Sequence, residues 1–371
     1  MTRSTARVLL LGIDGCPIHL FSPVVMPHIW TLGDRTEGRT ADGRAPLPSS
    51  TYPCFSSILT GCHPARNGVR TTSSRPGAVP GWAGQPRVTV PTLFDACRAA
   101  GLRSAAIQGD HLLLAVLRTE AASIAWPPGG VIPQGTPLDD HAYPTNAAVG
   151  PHLLAAAADP TVQFLFGQIN EGDTLGHDLG PDHPATRDCY AGADALVGEV
   201  LEVAKPGWDQ TIVIVVSDHG MEPRTDHPPI DLLPHPAVRE VAEEVLVDGG
   251  AALVRLREGV EPGRAGAVLA SVPGVGGRSS ADAGVVIAEA KPGWIFSNHK
   301  LPAKGFHGGP ATARTFAVVG GGHPAVPAIA RAISGQPVQH TDWAPTIAHV
   351  LALRLQDVDG RNLLMERRAP D

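Results

Sequence analysis

The sequence has few of the features that mark membrane, nucleic-acid-binding or disulfide-rich proteins. Only 18% of its 371 residues are charged, its net charge is -7, and its basic residues form no cluster. A nucleic-acid polymer is therefore not expected as a partner. No apolar run approaches the roughly 20 residues of a membrane span, so we predict no membrane association. The five cysteines are odd in number and lack CxxC spacing, which argues against a disulfide framework and a thiolate zinc site.

The N-terminal segment, MTRSTARVLLLGIDG, carries basic residues before an apolar run, as a secretory signal does. This run ends at Asp14 after only a few residues and shows no cleavage-site pattern. We therefore predict that the segment is the first strand of a cytoplasmic protein.

Apolar, strand-like runs alternate with Ala/Leu-rich, helix-like segments along the chain, and 43% of the residues are hydrophobic. This alternation predicts βαβ units and one α/β domain over residues 1–371, with a largely parallel sheet covered by helices. Two Gly/Pro-rich stretches, from about Ser73 to Pro91 and from Trp126 to Pro144, predict long loops that border the substrate pocket.

The pattern changes from about residue 222 to residue 300. A predicted helix, HPAVREVAEEV, is followed by the β-like segments AALVRL and GVVIAEA, which Gly-rich turns separate. This order predicts a small antiparallel subdomain that is inserted in the main domain and covers part of the site.

Several apolar runs stop at an Asp or a His, which predicts that strands deliver ligands to one edge of a sheet. Asp and His without thiolate are typical of catalytic sites for zinc or another first-row metal. A glycine after the Asp-His pair at positions 218 and 219 permits the bend that turns both side chains toward the site. The candidate ligands are Asp14, Asp173, His177, Asp218, His219 and His307.

Thr51, in the segment SSTYPCFSSILTG, is the candidate nucleophile. Pro53 suits the first turn of a helix, so Thr51 is predicted at a helix N-terminus. The positive end of the helix favours an alkoxide and a phosphate there. A bound metal lowers the pKa of such a hydroxyl further, which a threonine needs in order to attack at neutral pH.

Each of these residues also has a simple structural explanation when it is considered alone. Asp14 can cap a turn, Thr51 can cap a helix, His307 can lie in a loop, and the Asp-His pair can form an ion pair. A metal site is favoured because all of these explanations would have to hold at once. We further predict that Glu171 and Asp178 are partners of the site histidines. Six other histidines either line the pocket or, as is expected of most of them, lie in solvated loops: His183, His227, His235, His299, His323 and His340. His340 precedes a predicted helix start, where Asp342 is expected to be a cap and not a ligand.

The order of these motifs resembles the alkaline phosphatase superfamily, specifically its type I phosphodiesterase/nucleotide pyrophosphatase branch. The motifs are Asp14, STYPCFSSILTG, DTLGHDLGP, VVSDHG, GFHGG and TDWAPTIAHVLAL with DVDGRNL, which together span about residues 7–364. The resemblance implies a three-layer α/β sandwich. It also implies a phosphothreonine intermediate on Thr51, which water then hydrolyses, and two divalent metal ions.

By the same resemblance, one zinc would be held by Asp14, Asp218 and His219, and the other by Asp173, His177 and His307. Thr51 would bridge toward both, and manganese or iron are alternatives to zinc. The family's TFPN motif reads TYPC here, so Cys54 stands where an Asn usually helps to hold a phosphate oxygen. Cys54 and Tyr52 are the candidate substrate-binding residues. Tyr52 and Phe55 either stack on a nucleobase or pack in the core. The sulfatase branch is disfavoured because its motif requires Cys or Ser at the position of Thr51.

The resulting hypothesis is a metal-dependent phosphodiesterase or nucleotide pyrophosphatase that acts on a small-molecule phosphate ester or nucleotide. The first alternative is a phosphomonoesterase or a phosphonate hydrolase, which would need cationic side chains at the substrate; Arg66, Arg70 and Lys304 are candidates. The second alternative is an inactive binding protein that retains the fold.

Overall fold

The computed structural model describes residues 6–72, 86–282, 284–296 and 303–365. Part of the predicted loop from Ser73 to Pro91 lies outside these ranges. Within them the chain forms one large sheet, one four-stranded antiparallel sheet and one short two-stranded sheet. The other predicted loop, from Trp126 to Pro144, is irregular apart from its first residue, which ends a strand, and a short 3₁₀ turn.

The strands in the described ranges follow one another in this order: β1 (Arg7–Ile13), β2 (Arg39–Arg44), β3 (Ser104–Gln108), β4 (Ile124–Trp126), β5 (Phe164–Ile169), β6 (Thr211–Ser217), β7 (Glu222–Pro223), β8 (Ala242–Asp248), β9 (Ala251–Leu256), β10 (Val275–Asp282), β11 (Val285–Ala290), β12 (Gly305–Phe306), β13 (Arg314–Gly321) and β14 (Val338–Gln339).

The α-helices of the same ranges are α1 (Pro27–Asp34), α2 (Thr51–Thr60), α3 (Pro64–Asn67), α4 (Leu93–Ala100), α5 (Leu113–Val116), α6 (Asn146–Ala158), α7 (Glu171–Leu179), α8 (Pro184–Ala204), α9 (Pro236–Val241), α10 (Pro262–Ala270), α11 (Val326–Gly335) and α12 (Trp343–Val350). None of the helices in these ranges is both long and apolar enough to cross a membrane.

The large sheet has the strand order β14-β2-β13-β6-β1-β5-β3-β4. Its central strand β1 pairs in parallel with β5 on one side and β6 on the other. Only β13 runs against its neighbours β6 and β2. The mostly parallel sheet that the βαβ pattern predicted is therefore confirmed.

Helices cover both faces of this sheet, and alternate residues of β1 divide the core between them. Val8 and Leu10 belong to the apolar cluster that includes residues of α2, α4, α11 and α12. Leu9 and Leu11 belong to the cluster that includes residues of α1, α6 and α8. Because side chains alternate across a strand, a strand that is apolar throughout must be buried on both faces. The result is the three-layer arrangement that the resemblance implied.

The antiparallel sheet has the order β10-β11-β9-β8 and an apolar cluster of its own. It therefore occupies residues 242–290 within the stretch where the sequence pattern changes. The predicted helix HPAVREVAEEV is wrong in its second half, because α9 ends at Val241 and Ala242 begins β8. Val238, Val241 and Val245 have helical spacing, but Val245 pairs with Val254 of β9. Cross-strand pairing outweighs the local pattern there.

Candidate active site

The predicted ligands lie at the carboxyl edge of the large sheet. Asp14 follows β1, and Asp218 and His219 follow the adjacent β6. The other neighbour, β5, leads directly into α7, which carries Asp173 and His177 one turn apart. The three strands are parallel, so their carboxyl ends bring these side chains to one place.

Thr51 is the first residue of α2, as the sequence predicted. Its hydroxyl oxygen lies 3.3 Å from Asp14 Oδ1 and 3.1 Å from His219 Nε2. The helix therefore presents a hydroxyl at its positive end, directly against a carboxylate and an imidazole.

The Asp and His side chains gather in two overlapping groups, in each of which the nearest ligand atoms lie within 4.8 Å of one another. The first group consists of Asp14, Asp218 and His219. The second group consists of Asp173, His219 and His307, so that His219 belongs to both. His177 adjoins the second group, with its Nε2 3.4 Å from Asp173 Oδ2. The structure thus brings all seven predicted residues together. It places His219 within reach of both groups, and the division of the ligands between two ions stays a prediction.

Two of the histidines are oriented by backbone carbonyls. Nδ1 of His177 lies 3.0 Å from the oxygen of Gly305, and Nδ1 of His219 lies 2.9 Å from that of Gly220. An Nδ1–H that donates to these carbonyls leaves Nε2 free for a metal.

The prediction that Glu171 and Asp178 support the site histidines is wrong. Glu171 accepts a hydrogen bond from the backbone N–H of Asn146, and Asp178 pairs with His141. Both carboxylates are therefore engaged outside the cluster.

The charges of the cluster fit a bound cation. Asp14 and Asp218 have no exposed surface. Burial, followed by repulsion from Asp218 and Asp173, raises the pKa of Asp14 well above its usual range. Burial also raises the pKa of Asp218 to about 6. Asp218 Oδ2 and Asp173 Oδ1 are buried without a hydrogen-bond partner among the described residues. Buried, mutually repelling carboxylates with free oxygens are the donor set that a divalent metal requires.

Further buried groups fix these carboxylates, and the sequence analysis did not single them out. Gln168 donates its amide to Asp14, whose backbone carbonyl also accepts from the Tyr190 hydroxyl. The N–H of Gly15 donates to Asp218 Oδ1. Gly15 has a φ of +63°, and a Cβ there would lie 2.3 Å from Asp173 Oδ1. Only glycine fits this approach.

Asp110 is a further carboxylate at the same sheet edge that sequence reasoning missed. It follows β3 by two residues, so the strand-end pattern that marked Asp14 was present there too. Its carboxylate accepts from the backbone N–H of Leu112 and from the Tyr52 hydroxyl. Burial raises the pKa of Asp110 to about 6.

The candidate substrate-binding residues Tyr52 and Cys54 lie on the first turn of α2. Cys54 has no exposed surface and Tyr52 is 7% exposed, within an apolar cluster that also contains Phe55. Phe55 is fully buried and packs edge-on against Phe166. These facts favour core packing over stacking on a nucleobase, and substrate binding by Tyr52 or Cys54 stays a prediction.

The candidate cations are not gathered at the cluster. Arg66 pairs with Asp359 at 3.0 Å. With Arg70 it lines a cavity of about 550 Å³ whose lining includes none of the seven site residues. The side chain of Lys304 is exposed, while its backbone N–H donates to the carbonyl of His177.

His340 and Asp342 lie at the start of α12. His340 is not one of the solvated histidines, since it is 2% exposed and bonded to Thr315. Asp342 is the N-cap residue of α12, but its side chain makes no capping hydrogen bond with that helix. Its carboxylate instead accepts from the backbone N–H of Gln339 in the capping box of the preceding 3₁₀ turn.

The three-layer α/β fold gathers Asp and His side chains at the carboxyl edge of a mostly parallel sheet. The chain belongs to the type I phosphodiesterase / nucleotide pyrophosphatase family of the alkaline phosphatase superfamily, since the family model matches residues 8–276.

Solved structures of similar fold include two mammalian proteins, one murine and one human. Murine ectonucleotide pyrophosphatase / phosphodiesterase 5, as an inactive variant in complex with AMP, aligns with a TM-score of 0.70 and 16% identity over 97% of this chain and 99% of that one. The human protein of the same name aligns with a TM-score of 0.69 and 15% identity, over 96% and 98% of the two chains. These matches show the shared fold.

A curated relative is GPI ethanolamine phosphate transferase 3 of Schizosaccharomyces pombe, which is 42% identical over 79 residues. That stretch is 21% of this chain and only 8% of the transferase. The chain thus spans a small part of that relative's length.

Proposed function

We propose that the protein is a metal-dependent hydrolase that cleaves a phosphodiester or nucleotide pyrophosphate bond of a small molecule, with Thr51 as nucleophile. One observation carries this proposal: the Thr51 hydroxyl stands at a helix N-terminus within 3.3 Å of Asp14 and 3.1 Å of His219. Family membership supports the reaction class. The AMP bound to the murine neighbour supports a nucleotide as one candidate substrate.

In this proposal the Thr51 oxygen attacks phosphorus and the bond from phosphorus to the leaving alcohol or phosphate breaks. The Thr51 hydroxyl oxygen lies 3.3 Å from Asp14 Oδ1, through which its proton passes to solvent, and solvent protonates the departing oxygen. Water then cleaves the phosphothreonine and restores the threonine. Two divalent ions, for which we propose zinc with manganese or iron as alternatives, would be held by the Asp and His cluster. When bound they would stabilise negative charge on the reacting oxygens.

A diester or pyrophosphate suits this site better than a phosphomonoester. A terminal phosphate carries an additional negative charge, which a cationic side chain would have to meet. Arg66 is instead paired with Asp359, and Arg70 donates to the backbone carbonyl of Ala65. Neither arginine is a residue of the carboxylate cluster, which favours a diester or pyrophosphate. Lys304, whose backbone N–H donates to the carbonyl of His177, is the candidate cation for the alternative, a phosphomonoester.

The proposal is tested by turnover of bis-p-nitrophenyl phosphate, p-nitrophenyl phosphate and a phosphonate, with and without chelator. We expect the diester to be preferred and all turnover to stop when the metal is removed. Preference for the monoester or the phosphonate would reassign the substrate class. Undiminished turnover in chelator would contradict the metal-dependent mechanism.

A further inference from the structure

The hairpin that joins β8 to β9 in the inserted sheet ends against the candidate active site. The N–H of Gly250 donates to the carbonyl of His307 at 2.7 Å. Gly249 has a φ of +57°, and a Cβ there would lie 1.8 Å from the same carbonyl oxygen. The hairpin and the segment that carries His307 are therefore in direct backbone contact.

Asp248, the last residue of β8, binds the start of the nucleophile helix. Its Oδ1 accepts a hydrogen bond of 2.8 Å from the Ser50 hydroxyl. Its Oδ2 accepts from the Thr71 hydroxyl at 2.8 Å and from the Thr72 N–H at 2.9 Å. The residue is only 8% exposed. Hydrogen bonds to a carboxylate are stronger than those between neutral groups. These three contacts therefore hold the end of β8 firmly against Ser50 and against residues 71–72.

Ser50 immediately precedes Thr51 and is the N-cap residue of α2, yet its side chain makes no capping hydrogen bond with that helix. Serine at this position usually bonds to the first turn of its own helix. Here its hydroxyl is turned toward Asp248 instead. The Ser50 side chain therefore binds the inserted sheet and not the helix that it precedes.

A third set of contacts closes the arrangement. Ser49 and Gly308 exchange a pair of backbone hydrogen bonds, each 3.0 Å long. The Ser49 hydroxyl also donates to the carbonyl of Gly309 at 2.7 Å. Residues 49–51, 248–250 and 307–309 therefore form one hydrogen-bonded unit that contains both Thr51 and His307.

We propose that Asp248 is a positioning residue, which acts through Ser50 to fix the Thr51 hydroxyl relative to His307. This inference rests on the proposed function. It makes the inserted sheet a working part of the active site, because Asp248, a carboxylate of that sheet, joins it to the start of the nucleophile helix. A displacement of about 1 Å at a reacting group can lower a rate by about 100-fold.

The test compares Asp248→Asn and Ser50→Ala, alone and combined, in the full chain loaded with zinc. An Asn carboxamide has one acceptor oxygen, so it cannot accept from Ser50 on one side and from Thr71 and Thr72 on the other, as the carboxylate does. The connection that runs through Asp248 to Ser50 is then broken, as it is in Ser50→Ala. We expect kcat on bis-p-nitrophenyl phosphate to fall about 10- to 100-fold in Asp248→Asn, with KM changed less than about threefold. The double variant should be no slower than the slower single variant, because both changes break the same link. Glu244→Gln, which removes a carboxylate on the same strand that pairs with Arg255, is the control and should keep wild-type kcat.

Hydrogen exchange is measured on the same samples for peptides that cover residues 49–52 and 307–309. It reports how firmly the segments of Thr51 and His307 are held, independently of turnover. Faster exchange confined to these segments in Asp248→Asn supports the proposal, and it does so even if the wild-type protein hydrolyses none of the substrates. In that event the proposed function is wrong, while the positioning role of Asp248 is supported. Wild-type exchange and kcat in Asp248→Asn would overturn the positioning role. Exchange that rises throughout the chain, or equally in Glu244→Gln, would also overturn it, because the effect would then be general destabilisation.

Discussion

At the scale of single residues, the site brings carboxylates close together, two of them with no exposed surface. Asp14 and Asp218 are fully buried, and their repulsion of each other adds to the effect of burial on the pKa of Asp14. The N–H of Gly15 and the imidazole of His219 compensate only part of the charge on Asp218. The protein without metal therefore carries a destabilising arrangement at its centre.

Asp218→Asn should accordingly have opposite effects on the two forms of the protein. Without metal, loss of the buried charge should raise the free energy of unfolding by about 1 to 3 kcal/mol, because the amide oxygen can still accept from Gly15. With zinc, the variant should bind at least about 10-fold more weakly. Urea unfolding in chelator and zinc titration measure the two effects. Lower stability in chelator would contradict this account of the cluster.

His340 predicts a specific loss of stability in acid. Burial lowers the pKa of His340 to about 3, from the 6.5 that is usual for histidine. Below about pH 6.5, His340 therefore binds a proton in the unfolded chain but stays neutral in the folded chain. Stability falls as the pH drops through this window, by about 2 kcal/mol near pH 5. Between pH 8 and pH 5, the free energy of unfolding should fall by about 2 kcal/mol less in His340→Gln than in the wild type. Urea unfolding of both proteins at the two pH values measures this difference. An equal difference in both proteins would argue against the assignment.

Residues at strand ends could be predicted from the sequence, and those held by tertiary contacts could not. Asp14 and Asp218 directly follow long apolar runs, so their common location is a consequence of parallel strands. Asp110 was not recognised in the same way, because β3, with the sequence SAAIQ, contains only one large apolar residue. Asp248 lies at the end of a strand in another sheet, and no local pattern indicates which surface that sheet contacts.

At the scale of elements, α2 is defined at both ends by its sequence. It begins at Thr51 after an extended Ser50 and ends at Gly61, which has a φ of +72°. All ten of its residues are buried. A helix enclosed in this way can hold its first residue firmly, provided that its last turn closes correctly.

Gly61→Ala should test this closure. The left-handed conformation costs a residue with a Cβ about 1 to 2 kcal/mol, and a Cβ here would lie 3.0 Å from Pro345 Cδ. We expect the free energy of unfolding to fall by at least about 1 kcal/mol. Gly335→Ala, at the last residue of α11, is the control, because a Cβ there meets nothing within 4 Å. Equal stability of the two variants would contradict the interpretation of the Gly61 cap.

Element boundaries followed from the sequence less well than element types. The core strands β1, β5 and β6 stand out in the sequence as continuous apolar runs, and α8 stands out as a long Ala/Leu-rich segment. At residues 242–245 the apolar spacing of α9 continued in register into β8, and only pairing with β9 reveals the strand. Such pairing depends on residues far along the chain, so local pattern could not decide it.

At the scale of the whole molecule, two sheets meet at one site. The large sheet supplies the carboxylates and the nucleophile helix packs on one of its faces, while the tip of the inserted sheet contacts the segment of His307. Fold class and inserted subdomain could both be predicted from the order of elements. The docking between them required the structure, since it depends on backbone contacts at Gly249 and Gly308.

Metal binding at this junction should stabilise the entire fold. Ligands from four separate parts of the chain, around residues 14, 173–177, 218–219 and 307, can be held together only in the folded protein. At a free zinc concentration of about 100 times Kd, the free energy of unfolding should rise by about 2.7 kcal/mol per site. Thermal unfolding with zinc and with chelator measures the difference, which should be smaller in Asp218→Asn. A Tm that does not respond to zinc would contradict a metal site at the cluster.

The central claim is that Thr51 is the nucleophile of a metal-dependent phosphodiesterase. Its most direct test is the rate of bis-p-nitrophenyl phosphate hydrolysis by Thr51→Ala, with bound metal measured on the same sample and Thr51→Ser as the matched control. We predict that the alanine variant keeps its fold and about two bound ions but loses turnover, while the serine variant retains part of it. Turnover by the alanine variant close to that of the wild type would contradict the account.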